Sequence, residues 1–369
     1  MELTSKERLM RIFKGGDIDR PALKLWGLQP GGRFLHPDYI PVYNMGIEKT
    51  DIFYEVFMPF NIYKAETKIE TRQIDELWQD NITTIKTPSG NLRSVYRSSK
   101  IGAPGYETEY LFKSEDDIKK FLRLAAEESE PDPAEYFKAE NILKDRGIVH
   151  IGIGHAAFIL HQFCGSENLA YFSVDCRDLV TEAIKRFSDL RYKFVQKILK
   201  TGVKAVFSWV GPELFIPPLM SRDDFEEFVF LFDKPLCDLI HENGGYVWMH
   251  CHGKTAAFID RFIEMGIDVI NPLEPAPNGD AELQKISRKY AGKIGLEGNI
   301  EIQELLNSDE ERVRGLIYDC VKAGSESKRF ILCPSAGYME YPEPNGNYIN
   351  NLSTYINYGY ECVNKFKYR

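Results

Sequence analysis

The chain contains no apolar run approaching the ~20 residues needed to cross a bilayer, which sets membrane-spanning roles aside. Its first eight residues are charged and polar where a secretion signal needs an apolar centre. No cluster of lysine and arginine is long enough to follow a phosphate backbone, and the net charge is −9, so nucleic acid is not an expected partner. The seven cysteines are odd in number and irregularly spaced, unlike a disulfide framework. They imply a reducing cytoplasm and thiols that serve mostly as small buried hydrophobes, with Cys251 and Cys333 set apart by their surroundings. There is no repeat of solenoid period and no low-complexity tract.

What is present is an ordinary globular composition, 43% hydrophobic and 27% charged over 369 residues. Short apolar segments alternate with amphipathic ones, the pattern of a parallel sheet covered by helices. Strands are expected at 22–26, 51–54, 149–153, 204–209, 246–250, 267–270, 293–296 and 329–332, the second weakly marked. Intervening helices are expected at 222–241, with Ser221 as N-cap, and at 255–265, 281–290, 309–323 and 354–365. Eight such strands make a (β/α)₈ TIM barrel, here a single domain over 1–369. Residues 67–112 break the rhythm with two alternating runs around Thr87-Pro88-Ser89-Gly90-Asn91, which reads as an inserted antiparallel hairpin, open to extension by the stretch around Glu107-Thr108-Glu109-Tyr110. The acidic stretch 127–133 reads as a solvated connection.

The segment His250-Cys251-His252-Gly253 closes the fifth strand. Side chains alternate along a strand, so both imidazoles face one way and Cys251 the other. Two imidazoles at a strand end can close on one divalent ion, most naturally zinc; they can equally be histidines satisfied by hydrogen bonds. Working residues of such barrels follow the strands' C-terminal ends. That rule selects Trp26 and Arg33, then His155, Trp209 with Glu213, Asn271 with Glu274, Asn299, and Cys333 with Tyr338. Trp26, Trp209 and Tyr338 can wall an apolar cavity. Each also has a plainer role: Glu213 as a surface carboxylate, Asn271 and Asn299 as ties for loop backbone, Glu274 as a helix-start carboxylate. Arg33 can be a surface cation, His155 a buried hydrogen-bonded histidine, and Cys333 core.

These residues in this order resemble the uroporphyrinogen decarboxylase superfamily of (β/α)₈ barrels. The marks are Arg8-Leu9-Met10, Arg20-Pro21, Thr108-Glu109-Tyr110, Ser114-Glu115-Asp116-Asp117, Gly244-Gly245, His250 to Gly253, Gly266-Ile267-Asp268, Asn271-Pro272-Leu273-Glu274-Pro275 and Gly298-Asn299-Ile300. Porphyrinogen decarboxylases of that superfamily carry paired arginines in a segment that here reads Leu28-Gln29-Pro30-Gly31-Gly32-Arg33, where only Arg33 matches. A substrate with many carboxylates needs several cations, so decarboxylation is the alternative rather than the leading expectation.

The other branch of the superfamily comprises zinc-dependent, corrinoid-linked methyltransferases. Its thiol-methylating members carry His-x-Cys after the fifth strand and a later Cys. Here His252 replaces the first cysteine, and Ala336, or less well Cys333, falls at the other position. The resemblance therefore implies a methyltransferase of the O-demethylase type, taking methyl from a methoxylated aromatic or a related O- or N-methyl compound. It further implies zinc on His250 and His252 with Glu213 or Cys333 as third ligand, and His155, Asn271, Glu274 and Tyr338 as further catalytic groups. Trp26, Arg33, Trp209 and Asn299 would bind substrate. No cobalamin-anchoring Asp-x-His-x-x-Gly segment occurs, so the corrinoid is expected on a partner protein.

Overall fold

The computed structural model describes residues 2–32, 36–337 and 345–368. Twelve strands form two sheets. Eight are parallel: β1 (Ala22–Leu23), β2 (Ile52–Phe57), β7 (Gly147–Gly152), β8 (Val206–Val210), β9 (Tyr246–His250), β10 (Val269–Asn271), β11 (Gly295–Ile300) and β12 (Phe330–Pro334). They run in the order β1-β12-β11-β10-β9-β8-β7-β2 and curl into a TIM-like (β/α)₈ barrel wrapped by helices. All eight expected strands are present, with ends shifted by a few residues. β2, the weakest in the sequence, is a full strand paired with β7 through Ile52↔Gly147 to Phe57↔Gly152.

Inward residues form one apolar layer. Ala22, Phe53, Ile148, Val206, Trp248, Val269 and Ile331 pack together and against Leu9, Ile12 and Phe13 of the helix Ser5–Lys14. That helix, opened by a capping box between Thr4 and Glu7, plugs the N-terminal end of the barrel. Outward residues such as Phe207, Val247, Met249 and Leu296 meet the surrounding helices in the larger core.

The first and last strands of the curled sheet meet at a narrow seam. Asp51 N–H donates to Leu23 O at 2.7 Å, and the Asp51 carboxylate accepts from Leu23 N–H at 2.9 Å. Arg8 and Arg20 both reach that carboxylate, at 2.7 and 3.2 Å, and Arg8 also grips Asp19 at 2.8 Å. The Arg8 and Arg20-Pro21 marks of the sequence are thus seam residues.

The insertion is larger than a hairpin. β3 (Thr67–Gln73), β4 (Trp78–Thr87), β5 (Gly90–Ser99) and β6 (Tyr106–Glu109) form a four-stranded antiparallel sheet in that order. The expected turn joins β4 to β5. β3 escaped the sequence reading because its residues are all exposed and polar-rich, with no apolar alternation to mark it. Ile85, Leu92 and Val95 are buried, and Ile85 and Leu92 join the main core.

The helix expected at 222–241 begins at Ser221, which caps Asp224 N–H, and runs as Arg222–Phe225, a π-helical turn Glu226–Phe230, and Leu231–Glu242. The closing helix starts earlier than expected, at Gly346, with Asn345 as its cap. The segment 127–133 is tied to the helix Arg177–Lys200 by Glu128 and Glu130 contacts to Lys193 and Lys197.

Candidate functional site

Strand parity sets the site. Trp248 faces into the barrel and Met249 out, so His250 and His252 face the C-terminal mouth while Cys251 is buried in the outer layer. The two imidazoles lie with ring centres 4.4 Å apart and nearly perpendicular. Trp26 stands edge-on to His250 at 5.0 Å, and its indole N–H is fixed on Pro334 O at 2.9 Å.

Each ring is anchored through Nδ1. The register sets Asn271 beside His250, and Asn271 Oδ1 lies 2.6 Å from His250 Nδ1. Glu274 Oε1 lies 2.8 Å from His252 Nδ1, and Glu274 Oε2 accepts from Gly253 N–H at 2.7 Å. Burial, with His252 alongside, pushes His250 down to about 3, so it is neutral at ordinary pH. For His252 burial acts in the same direction, but the Glu274 bond and the nearby carboxylates outweigh it and raise the imidazole.

Glu213 sits in the turn Pro212–Phe215 after β8, with Oε2 buried and without a hydrogen-bond partner among the described residues. Burial raises its carboxyl, while the charges of His252 and His155 act against that rise. Glu301, just after β11, also leaves Oε1 without a partner among the described residues; burial and the Glu274 charge raise its carboxyl.

Below the histidines lies a buried polar group that the sequence reading missed. Lys24 Nζ and Glu297 Oε1 pair at 2.7 Å; Trp248 Nε1 donates to Glu297 Oε2 at 2.7 Å, and Asn271 Nδ2 to Glu297 Oε1 at 2.8 Å. Lys24 Nζ is ringed by Phe53, Trp248 and Trp26, 4.2 to 4.7 Å from the ring centres. The available signal was a charged residue at inward parity inside two short apolar strands.

Several expected site residues lie elsewhere. Trp209 pairs with Met249 and so points outward, where Arg191 stacks over it at 4.6 Å; it does not wall the mouth. His155 is used up: Nδ1 caps Phe158 N–H at 3.3 Å, and Nε2 meets Asp233 at 3.0 Å, which is itself held by Arg191. Neither nitrogen is left for catalysis. Cys333 is fully buried with its thiol pushed far up, first by burial and then by Glu297; its charged neighbours are Glu297 and Lys24, not the histidines. Asn299 is half-buried, its N–H on Cys320 Sγ at 3.3 Å. Arg33 and Tyr338 lie outside the described residues.

The donor set can be tested against a divalent ion. Among the described residues no three His, Cys, Asp or Glu side chains stand arranged to hold one. The chemistry of the donors nonetheless suits zinc: two imidazoles anchored at Nδ1, which leaves Nε2 of each for a ligand, and the unpartnered carboxylate oxygen of Glu213. Cys333 does not belong to that set.

Comparison with solved structures gives a methyltransferase from Methanosarcina mazei, 12% identical, matched over 98% of this chain and 99% of that one with a TM-score of 0.61. A Bacteroidetes-affiliated GH5 cellulase (12% identity, 72% of this chain and 82% of that one) and a Bacillus subtilis mannanase (10%, 59% and 69%) reach TM-scores of only 0.37 and 0.35. No curated protein matches the chain. The family model of uroporphyrinogen decarboxylase (URO-D) matches residues 106–345, which span the inserted sheet's last strand and the whole His250–Glu301 mouth. The chain belongs to the uroporphyrinogen decarboxylase family.

Proposed function

We propose that this protein is a zinc-dependent methyltransferase component that moves a methyl group between a small O- or N-methyl donor, such as a methoxylated aromatic, and a corrinoid carried on a separate protein. The observation that carries the reading is the pair His250 and His252, each tethered at Nδ1 and, among the described residues, free at Nε2. The full-length likeness of fold to a methyltransferase supports the choice of branch. His250, His252 and Glu213 would hold the zinc. When bound, it supplies a Lewis acid for the negative charge that develops on the donor oxygen as the methyl leaves.

The chain's own groups do the rest. Trp26 offers an apolar edge beside His250 against which an aromatic donor can rest. Glu301, its carboxyl raised by burial, stands in the mouth with Oε1 unpartnered among the described residues, where it can serve as a proton donor to a leaving oxygen. Glu274 keeps the His252 ring in place.

The family's name keeps decarboxylation of a porphyrinogen in view as a second reading. The mouth argues against it: Glu213, Glu274 and Glu301 gather there, and a polycarboxylate would be repelled.

Metal analysis and methyl transfer to cob(I)alamin test the proposal together. We expect stoichiometric zinc in the purified protein, lost in a His250→Ala, His252→Ala double variant together with transfer from a methoxyarene. Absence of metal under every loading condition, or uroporphyrinogen turnover in place of transfer, would refute it.

A further inference from the structure

We infer that Lys24, Trp248 and Glu297 act through Asn271 as a lock on the tautomer of His250, holding the proton on Nδ1 and the lone pair on Nε2. A lysine ammonium and an indole N–H have no acceptor role. Lys24 Nζ meets Glu297 Oε1 at 2.7 Å and Trp248 Nε1 meets Oε2 at 2.7 Å, so both carboxylate oxygens act as acceptors. The Asn271 atom 2.8 Å from Oε1 must then be the amide nitrogen. Its oxygen is thereby turned to His250 Nδ1, 2.6 Å away, and an amide oxygen can only accept. The imidazole hydrogen is therefore on Nδ1.

Lys24, Trp248, Glu297 and Asn271 are all buried, Glu297 and Asn271 completely. Three aromatic rings, those of Trp26, Phe53 and Trp248, surround Lys24 Nζ and attract an ammonium there. Without the carboxylate, the Asn271 amide could turn over, present its NH₂ to His250 and drive the hydrogen onto Nε2, which would then have no lone pair to offer. Lys24, Trp248 and Glu297 are positioning residues: they set the Asn271 amide, and the amide sets His250.

The purpose of the lock rests on the function proposed above, but its test does not. Long-range ¹H–¹⁵N spectra of the metal-free, full-length protein, with His250 assigned by its loss in His250→Gln, report the tautomer directly. The expected wild-type pattern is a pyrrole-like Nδ1 and a pyridine-like Nε2. Glu297→Gln gives the carboxylate site a donor as well as an acceptor, and should shift both nitrogens toward averaged values. Because that change strands Lys24, the Lys24→Met, Glu297→Gln variant removes both charges and should show the same averaging in a stable fold. Zinc affinity in either variant should fall about 10–100-fold. A hydrogen on Nε2 in the wild type, or a wild-type pattern kept in both variants, overturns the lock. The expected pattern in a protein that never binds zinc overturns the metal reading alone.

Discussion

His250 and His252 are held by different chemistry, and the difference sets what each can do. His252 faces a carboxylate directly, whereas His250 faces the neutral amide of Asn271. Replacing Glu274 by Gln removes the charge but retains a hydrogen-bonding side chain, and the zinc affinity of the loaded protein should fall about 10–100-fold by competition with a chelator. Glu213→Gln should reduce affinity at least as much if its oxygen is a ligand; unchanged affinity would remove Glu213 from the set. Much of this site was legible residue by residue. Alternation alone put His250 and His252 on one side of the strand and Cys251 on the other, and strand-end position found Asn271 and Glu274. The same alternation, counted from Ser208, would have turned Trp209 outward. Lys24 and Glu297 were harder, since they come together across a sequence separation of 273 residues and each resembles a stray charge in its own strand. The fates of His155 and Cys333 depended on neighbours, Asp233 and Glu297, that only the fold supplies.

Among the elements, the helix ending at Glu242 is fastened to the loop before β10. His241 Nε2 meets Asp268 Oδ2 at 2.8 Å, and the same oxygen accepts from Val247 N–H at 2.7 Å. The Asp268 bond raises His241 despite the opposing effect of burial. A folded-state value above the unfolded ~6.5 means that the tie contributes fully below about pH 6.5 and is lost as pH rises through the raised value. The melting temperature of wild type should therefore exceed that of His241→Gln most at mildly acidic pH, with the gap shrinking toward alkaline pH; a gap independent of pH would refute this. The inserted sheet depends on apolar residues of its inner face. Leu92 is almost completely buried in the main core, and Leu92→Ala should cost about 2–5 kcal/mol in denaturant unfolding. β4 and β5 were readable because such inward residues alternate with polar ones, while β3, which has no buried face, left no pattern to read.

For the whole molecule, the seam carries more than its size indicates. One carboxylate, Asp51, receives Arg8, Arg20 and the Leu23 amide, and has no exposure to solvent. Asp51→Ala strands buried charge on Arg20 and part of Arg8, and should lower unfolding free energy by about 3 kcal/mol or more. This explains why Arg8 and Arg20-Pro21 are informative in the sequence although neither approaches the mouth: they mark where the barrel is fastened. The order of the strands also gives assembly a timetable. Among the described residues β1 finds its ladder partner only in β12, the last of the described strands in chain order. Until then the sheet has open edges and the plugging helix has an incomplete apolar bed. The groups of the mouth, from Glu213 to Glu301, are all made earlier. A nascent chain halted before Phe330 would thus carry a written but unclosed site, and that unfinished form is the one exposed to misassociation on the ribosome.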